Sequence, residues 1–251
     1  MNYIALAIAP GLAICMYIFY KDVYNKEPKI NLLVCFILGG LAILPAIGFE
    51  KSFGSALDGT VSGTAIFAYA IVAFSEEFSK FLGLRLYAYN QKSFDEPLDG
   101  IVYAVMISMG FATVENIMYV IKYAELGQGY QVAFQRMFLS VPAHATFAVV
   151  MGYYVGKAKF DSKNSTALMF MGLLSAIFFH GTFDFFLFVK DYTLVGQQTA
   201  EGLLAGGAIV SFITAIILSR RLIRRQRAVS LQMLKDKNPV TTTTTITSTG
   251  V

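Results

Sequence analysis

Three features of this 251-residue chain point to an all-α bundle that crosses the membrane about seven times. Hydrophobic residues make up 56% of it and charged residues 14%, above and below the usage of soluble domains. Mean hydropathy is +0.59. Stretches of 18 or more residues with few charges recur, and about 20 apolar residues carry a helix across a hydrocarbon core about 30 Å thick. These features exclude a disordered chain, a nucleic-acid-binding protein and an ordinary cytosolic enzyme. The formal charge of +4 is what basic cytoplasmic loops contribute to a membrane protein.

Hydropathy places the spans at about 2–20, 30–49, 64–89, 98–122, 134–157, 166–189 and 202–219. The first has no basic leader and no A-x-A site after its apolar run, so it is expected to be a retained helix rather than a signal peptide. The cysteines, Cys15 and Cys35, lie in apolar runs where a thiol acts as a small hydrophobe. The second span follows the polar break KDVYNKEPK. Glu76, Glu77 and Lys80 interrupt the third before apolar residues resume as FLGLRLYAY, and one helix is expected throughout. The fourth opens after QKSFDEPLDG, with Asp95 as the expected N-cap and Pro97 in the first turn. KAKFDSKN separates the fifth from the sixth, and Gly202 and Gly206 give the seventh a packing motif. Residues 220–251, basic and then threonine-rich, are expected to form a disordered cytoplasmic tail beyond a membrane domain of residues 1–219.

Seven spans put alternate loops on opposite sides, and Lys and Arg divide 16 against 4 between the two sides. The positive-inside rule then expects the amino terminus outside and the carboxyl terminus in the cytoplasm. Trp is absent, so Tyr3, Tyr20, Tyr87, Tyr123, Tyr153 and Tyr192, near span ends, are the expected interfacial aromatics.

An ionisable side chain at bilayer depth costs about 2.5 to 3.5 kcal/mol on insertion scales, so each needs a partner or a reason. Glu76, Glu77, Lys80, Glu115, His144, His180 and Asp184 fall inside spans. Counted from the outer end of each helix, Glu76, Glu115, His144 and His180 share a depth of roughly 14 to 15 Å at 1.5 Å per residue. Both histidines of the chain stand in this layer, and His exchanges protons near neutral pH. Within helices, Glu76 and Glu77 precede Lys80 by four and three residues, and Asp184 follows His180 by four, so each set shares a face. Asp184 is placed to accept an N–H from His180. From charge pattern alone, three readings stand: an internally neutralised ion cluster, a proton or ion pathway, and a hydrolytic centre. Asp95, Glu96 and Asp99 read as loop and helix-start residues.

The motifs together resemble the PrsW family of intramembrane proteases, within the superfamily of the CAAX endopeptidases and bacteriocin-processing enzymes. They are YKDVYNKEPK at 20–29, EEFSK at 76–80, DEPLDGIVYA at 95–104, FATVEN at 111–116, His144, and HGTFD at 180–184, in family order across about 165 residues. The resemblance implies a site-1 type endopeptidase in a prokaryotic cytoplasmic membrane that cuts a membrane-anchored protein, an anti-sigma factor for the type member. Carried over, Glu76 is the general base and Glu77 its partner with Lys80. His180 is a second water ligand, and His144, Glu115 and Asn116 form the remaining wall, with His144 or Asn116 donating to the oxyanion. A metal-free glutamate mechanism is expected. Zinc held by Glu76, Glu77, His144 and His180 is the alternative, although no H-E-x-x-H is present. Two other functions compete: a non-catalytic scaffold that binds transmembrane helices, and a proton-coupled transporter, which would ordinarily show an inverted repeat.

Overall fold

The computed structural model describes residues 3–54, 58–192 and 198–237, and these are helical with no strand among them. Ten α-helices follow in order: α1 (Tyr3–Lys21), α2 (Lys29–Leu41), α3 (Ile43–Phe53), α4 (Val61–Ile66), α5 (Phe74–Leu86), α6 (Asp99–Ala124), α7 (Gly129–Phe138), α8 (Ser140–Phe160), α9 (Ser165–Tyr192) and α10 (Gln198–Lys237). They build seven stretches long and apolar enough to cross a membrane. Leu33, Ile37 and Leu44, among others on the outer faces, are exposed, as lipid-facing side chains must be.

Two spans are broken where proline dictates. The second divides at Ala42 into α2 and α3, and Pro45, in the first turn of α3, has no N–H to donate back to Leu41. The fifth divides at Leu139 into α7 and α8, with Pro142 in the same position of the second half. The third is one continuous helical stretch, as expected, but its turns from Phe67 to Ala73 are π-helical. Such a widened segment is frequent at functional sites. Here it ends three residues before Glu76.

Two expectations need correction. Asp95 does not cap α6. Leu98 precedes the helix, and Asp99 reaches back instead, its Oδ2 accepting from the backbone N–H of Asp95 (2.9 Å) and Glu96 (2.8 Å). Residues 220–237 are helical, because α10 continues past the expected end of the seventh span. Gln226 is buried there and donates to the carbonyls of Pro97 (3.0 Å) and Tyr153 (3.3 Å), while Ser230 Oγ accepts from Leu98 N–H (3.2 Å). A helix that satisfies a buried loop backbone in this way is held along its length. The threonine-rich residues 238–251 lie outside the described residues.

The core is centred on α6, whose residues from Asp99 to Thr113 are all buried, the mark of a helix enclosed on every side. It packs against α1, α2 and α8. Its contact with α8 is backbone to backbone. A Cβ placed on Gly100 would lie 2.4 Å from the carbonyl oxygen of Gly152, and one on Gly152 would lie 2.4 Å from that of Gly100. This crossing fixes the relative position of the helices that carry Glu115 and His144. Gly152→Ala is therefore expected to destabilise the protein by about 1 to 3 kcal/mol through overpacking. Gly48→Ala, which meets nothing within 4 Å, should be neutral or stabilising by up to about 1 kcal/mol. Thermal unfolding of the two variants in detergent checks the contrast.

Candidate active site

Four helices contribute to one buried polar cluster. The turn of α5 that follows the π segment supplies Glu76, Glu77 and Lys80, α6 supplies Glu115, α8 supplies His144, and α9 supplies His180 and Asp184. Lys80 stands at the centre. Its Nζ lies 3.1 Å from Glu76 Oε2, 2.8 Å from Glu77 Oε1 and 3.2 Å from His144 Nδ1, and 4.1 Å above the ring centre of Phe111. Lys80 is 2% exposed, and its ammonium neutralises carboxylates that would otherwise face one another without compensation.

The two histidines are held differently. His144 Nε2 lies 3.0 Å from Glu115 Oε2, and its Nδ1 faces the lysine. An ammonium only donates and a carboxylate only accepts, so this ring is the neutral tautomer with its proton on Nε2. His180 has carboxylates at both nitrogens: Glu77 Oε1 is 2.9 Å from Nδ1, and Asp184 Oδ2 is 3.1 Å from Nε2. Glu76 Oε2 lies 3.9 Å from the same Nε2. The ring stacks on Phe147 at 5.0 Å, which with the flanking carboxylates fixes its plane.

A cavity of about 730 Å³ opens onto one side of this cluster. Glu76, His180, Asp184, His144 and Glu115 line it, whereas Glu77 and Lys80 lie behind them. Gln128, Gln131 and Gln135, at the α6–α7 connection and along α7, form a polar rim. Asn116 is brought to the same region, but its side chain faces elsewhere. Its amide donates to Ala7 O (2.8 Å), and its oxygen accepts from Arg136 Nε (2.9 Å). Glu76, Glu77, His144 and His180 each offer a ligand atom, all within 4.8 Å of one another. Carboxylate oxygen and imidazole nitrogen are zinc donors, so the set fits that ion in chemistry.

Two residues of the site escaped the sequence reading. Arg136 Nη2 pairs with Glu115 Oε2 at 2.6 Å, with its guanidinium 4.1 Å above the ring centre of Tyr119. Its place in the sequence is a span end, where a cation reads as an interfacial anchor. Glu50 lines the cavity and accepts weakly from Ser75 (3.4 Å). It too falls one residue past the second expected span.

The family model described as PrsW family intramembrane metalloprotease matches residues 27–218. The chain is 38% identical over 188 residues to a Protease PrsW of Geobacillus kaustophilus, covering 75% of this chain and 80% of that protein. It is 36% identical over 185 residues to the Protease PrsW of Bacillus subtilis (73% and 82% covered). It is also 36% identical over 189 residues to that of Clostridioides difficile (74% and 79% covered). No solved structure matches.

The Arg136–Glu115 pair is largely shielded, with side chains 13% and 16% exposed. Removing one member of such a pair strands the other, at a cost of about 3 kcal/mol. Arg136→Gln should therefore destabilise more than the double variant Arg136→Gln, Glu115→Gln. A double-mutant cycle read by thermal unfolding in detergent measures the coupling, and equal losses would show that Glu115 needs only His144.

Proposed function

We infer the reaction from the premise that this chain belongs to the PrsW family of intramembrane proteases: Glu76 is the general base that activates water against a peptide bond of a membrane-anchored protein. The observation that carries the reading is the division of labour within the EE pair. Glu76 faces the cavity, and Glu77 lies behind it between Lys80 and His180. Only the first can meet substrate.

In this reading a water between Glu76 and His180 loses a proton to the Glu76 carboxylate as its oxygen attacks the scissile carbonyl carbon. The C–N bond then breaks, and Glu76 returns the proton to the departing amine. Glu77 and Lys80 do not touch substrate. Lys80 balances the charge of the pair, and Glu77 orients His180 through Nδ1, as Asp184 does through Nε2. His180 Nε2 is the ring nitrogen nearest Glu76 on the cavity wall, but Asp184 holds it as Glu115 and Ala7 hold the donors of His144 and Asn116, so in this reading substrate displaces Asp184 for the His180 N–H to meet the developing oxyanion. One such donor contributes about 3 to 4 kcal/mol in other hydrolases.

Zinc is a second reading, favoured by the four clustered donors and by the family's description as metalloproteases. Glu76, Glu77, His144 and His180 would hold the ion, which would lower the pKa of a bound water. Three of these donors now share the Lys80 ammonium, so metal and lysine compete for one set of acceptors.

The proposed substrate is a single-span protein of the anti-sigma factor class, cut near the outer membrane face. The glutamine rim supports this, because the α6–α7 connection lies on the side with few basic residues. New protein amino termini in membranes of cells with the wild-type chain and with Glu76→Gln, Glu77→Gln are the test. Termini absent from the variant and clustered at the outer ends of single spans are expected. Identical termini, with the variant still capturing membrane partners, would favour a scaffold. For the mechanism, dialysis against 1,10-phenanthroline should leave cleavage by the purified enzyme intact. Loss of cleavage that zinc alone restores would establish the metal reading instead.

A further inference from the structure

A second group of buried acids lies at the other end of α6, where the basic loops collect. Sixteen residues separate Asp99 from Glu115, roughly 24 Å along the helix. Asp22 and Glu27 come from the connection between α1 and α2, Glu96 from the loop before α6, and Asp99 from its first turn. All four are buried, at 0%, 3%, 5% and 0% exposure. The proteolytic reading uses none of them.

Three of the four spend one oxygen on a local hydrogen bond. Asp22 Oδ2 accepts from Glu27 N–H (2.9 Å), Glu27 Oε2 from the Tyr103 hydroxyl, and Asp99 Oδ2 from two loop N–H groups. One oxygen of each acid, Asp22 Oδ1, Glu27 Oε1, Glu96 Oε1 and Asp99 Oδ1, is buried and meets no donor. Among the described residues no ion pair joins any of the four to Lys or Arg; Lys26, 4.6 Å above the Phe19 ring centre, and Lys237 act on Asp22 and Glu96 only from beyond contact distance. Ligand oxygens of Asp22, Glu96 and Asp99 lie within 4.8 Å of one another. Two oxygens bound to one Ca²⁺ at 2.3 to 2.6 Å are at most about 5 Å apart.

Buried carboxylates without a counter-charge are strongly unfavourable. Three acids from two chain segments, with oxygens within 4.8 Å of one another and one buried oxygen of each unpartnered, are what a cation would satisfy. We propose that Asp22, Glu96 and Asp99, with Glu27 beside them, form a second site for a hard divalent cation (Ca²⁺, Mg²⁺ or Mn²⁺), which clamps the α1–α2 connection to the loop before α6. The donors are oxygen alone, with no His or Cys, so the class differs from the softer zinc set of the cavity. Bound there, the ion would brace the loop on which Gln226 and Ser230 of α10 are seated.

This inference does not rest on the protease reading, and its test uses the Glu76→Gln, Glu77→Gln full chain so that metal at the cavity is suppressed. That protein, stripped with EDTA in detergent, is titrated with Mn²⁺ and followed by electron paramagnetic resonance, with thermal unfolding in Mn²⁺, Ca²⁺ or Mg²⁺ alongside. One equivalent of bound Mn²⁺ and a raised unfolding midpoint are expected. Adding Glu96→Gln should weaken Mn²⁺ binding about 10-fold or more, and adding Asp22→Asn, Asp99→Asn should abolish it. The sign of the stability change is a second check, needed because the triple exchange could impair folding. In EDTA, Glu96→Gln removes a repelling charge and should raise the midpoint; with saturating Mn²⁺ it removes a ligand and should lower the midpoint. Unchanged Mn²⁺ binding in Glu96→Gln would overturn the site. So would a protein that takes up no Mn²⁺ and whose stability rises only as pH falls, since the acids would then hold protons instead.

Discussion

A single buried ammonium organises the polar layer of this bundle. Lys80 reaches Glu76, Glu77 and His144 at once, and these belong to two helices far apart in sequence. Without that charge, the two adjacent carboxylates of Glu76 and Glu77 would be buried side by side with no cation, a state that burial penalises heavily. With it, each remaining group finds an oriented role. Glu77 can hold His180, His144 can hold Glu115, and Glu76 is left facing open space. The order of the EExxK motif matters for this reason. The i, i+4 and i, i+3 spacings bring both acids to one lysine, but they approach from different angles around the helix, so one is presented and the other is tucked behind.

The backbone makes this presentation possible by departing from regular geometry near the site. The third span widens into π turns just before the acids, and the second and fifth spans break near the level of the cavity, at Ala42 and Leu139. Residues flanking both breaks, Ile43 and Leu139, line the cavity. Straight helices packed along their full length would close such a space. The rigid counterpart is α6, enclosed on all sides and locked to α8 by glycine contact, so that irregular segments surround a fixed axis.

How far the sequence revealed this depends on the range of the interaction. Seven spans were legible because lipid demands long apolar runs, a constraint that acts residue by residue. The shared level of Glu76, His144 and His180 was legible because helical rise converts sequence position into depth. Arg136 and Glu50 were not, since each lies at a span end where a charge has an ordinary explanation, and only the tertiary fold turns them inward. Asn116 shows the opposite error of inference. Adjacent to Glu115 in sequence, it points about 100° away on a helix, and its amide is consumed by Ala7. The helical stretch 220–237 was missed for a third reason. Its basic residues look solvated, whereas Gln226 and Ser230, spaced four apart, carry the buried contacts.

The two acidic clusters set opposite demands on one helix. At the cavity end of α6, Glu115 is compensated from within the chain by Arg136 and His144. At the other end, no ion pair reaches Asp99 and its neighbours among the described residues; Lys26 and Lys237 act on Asp22 and Glu96 only from beyond contact distance. A chain that neutralises one set so completely has the means to neutralise the other, by placing one basic residue in either loop. That it leaves buried oxygens unmatched on two segments whose acids converge separates a binding arrangement from a merely stable one. Stability alone favours apolar replacement of buried charges. A divalent cation at the proposed site would supply from outside the chain the counter-charge that Arg136 gives Glu115 from within it.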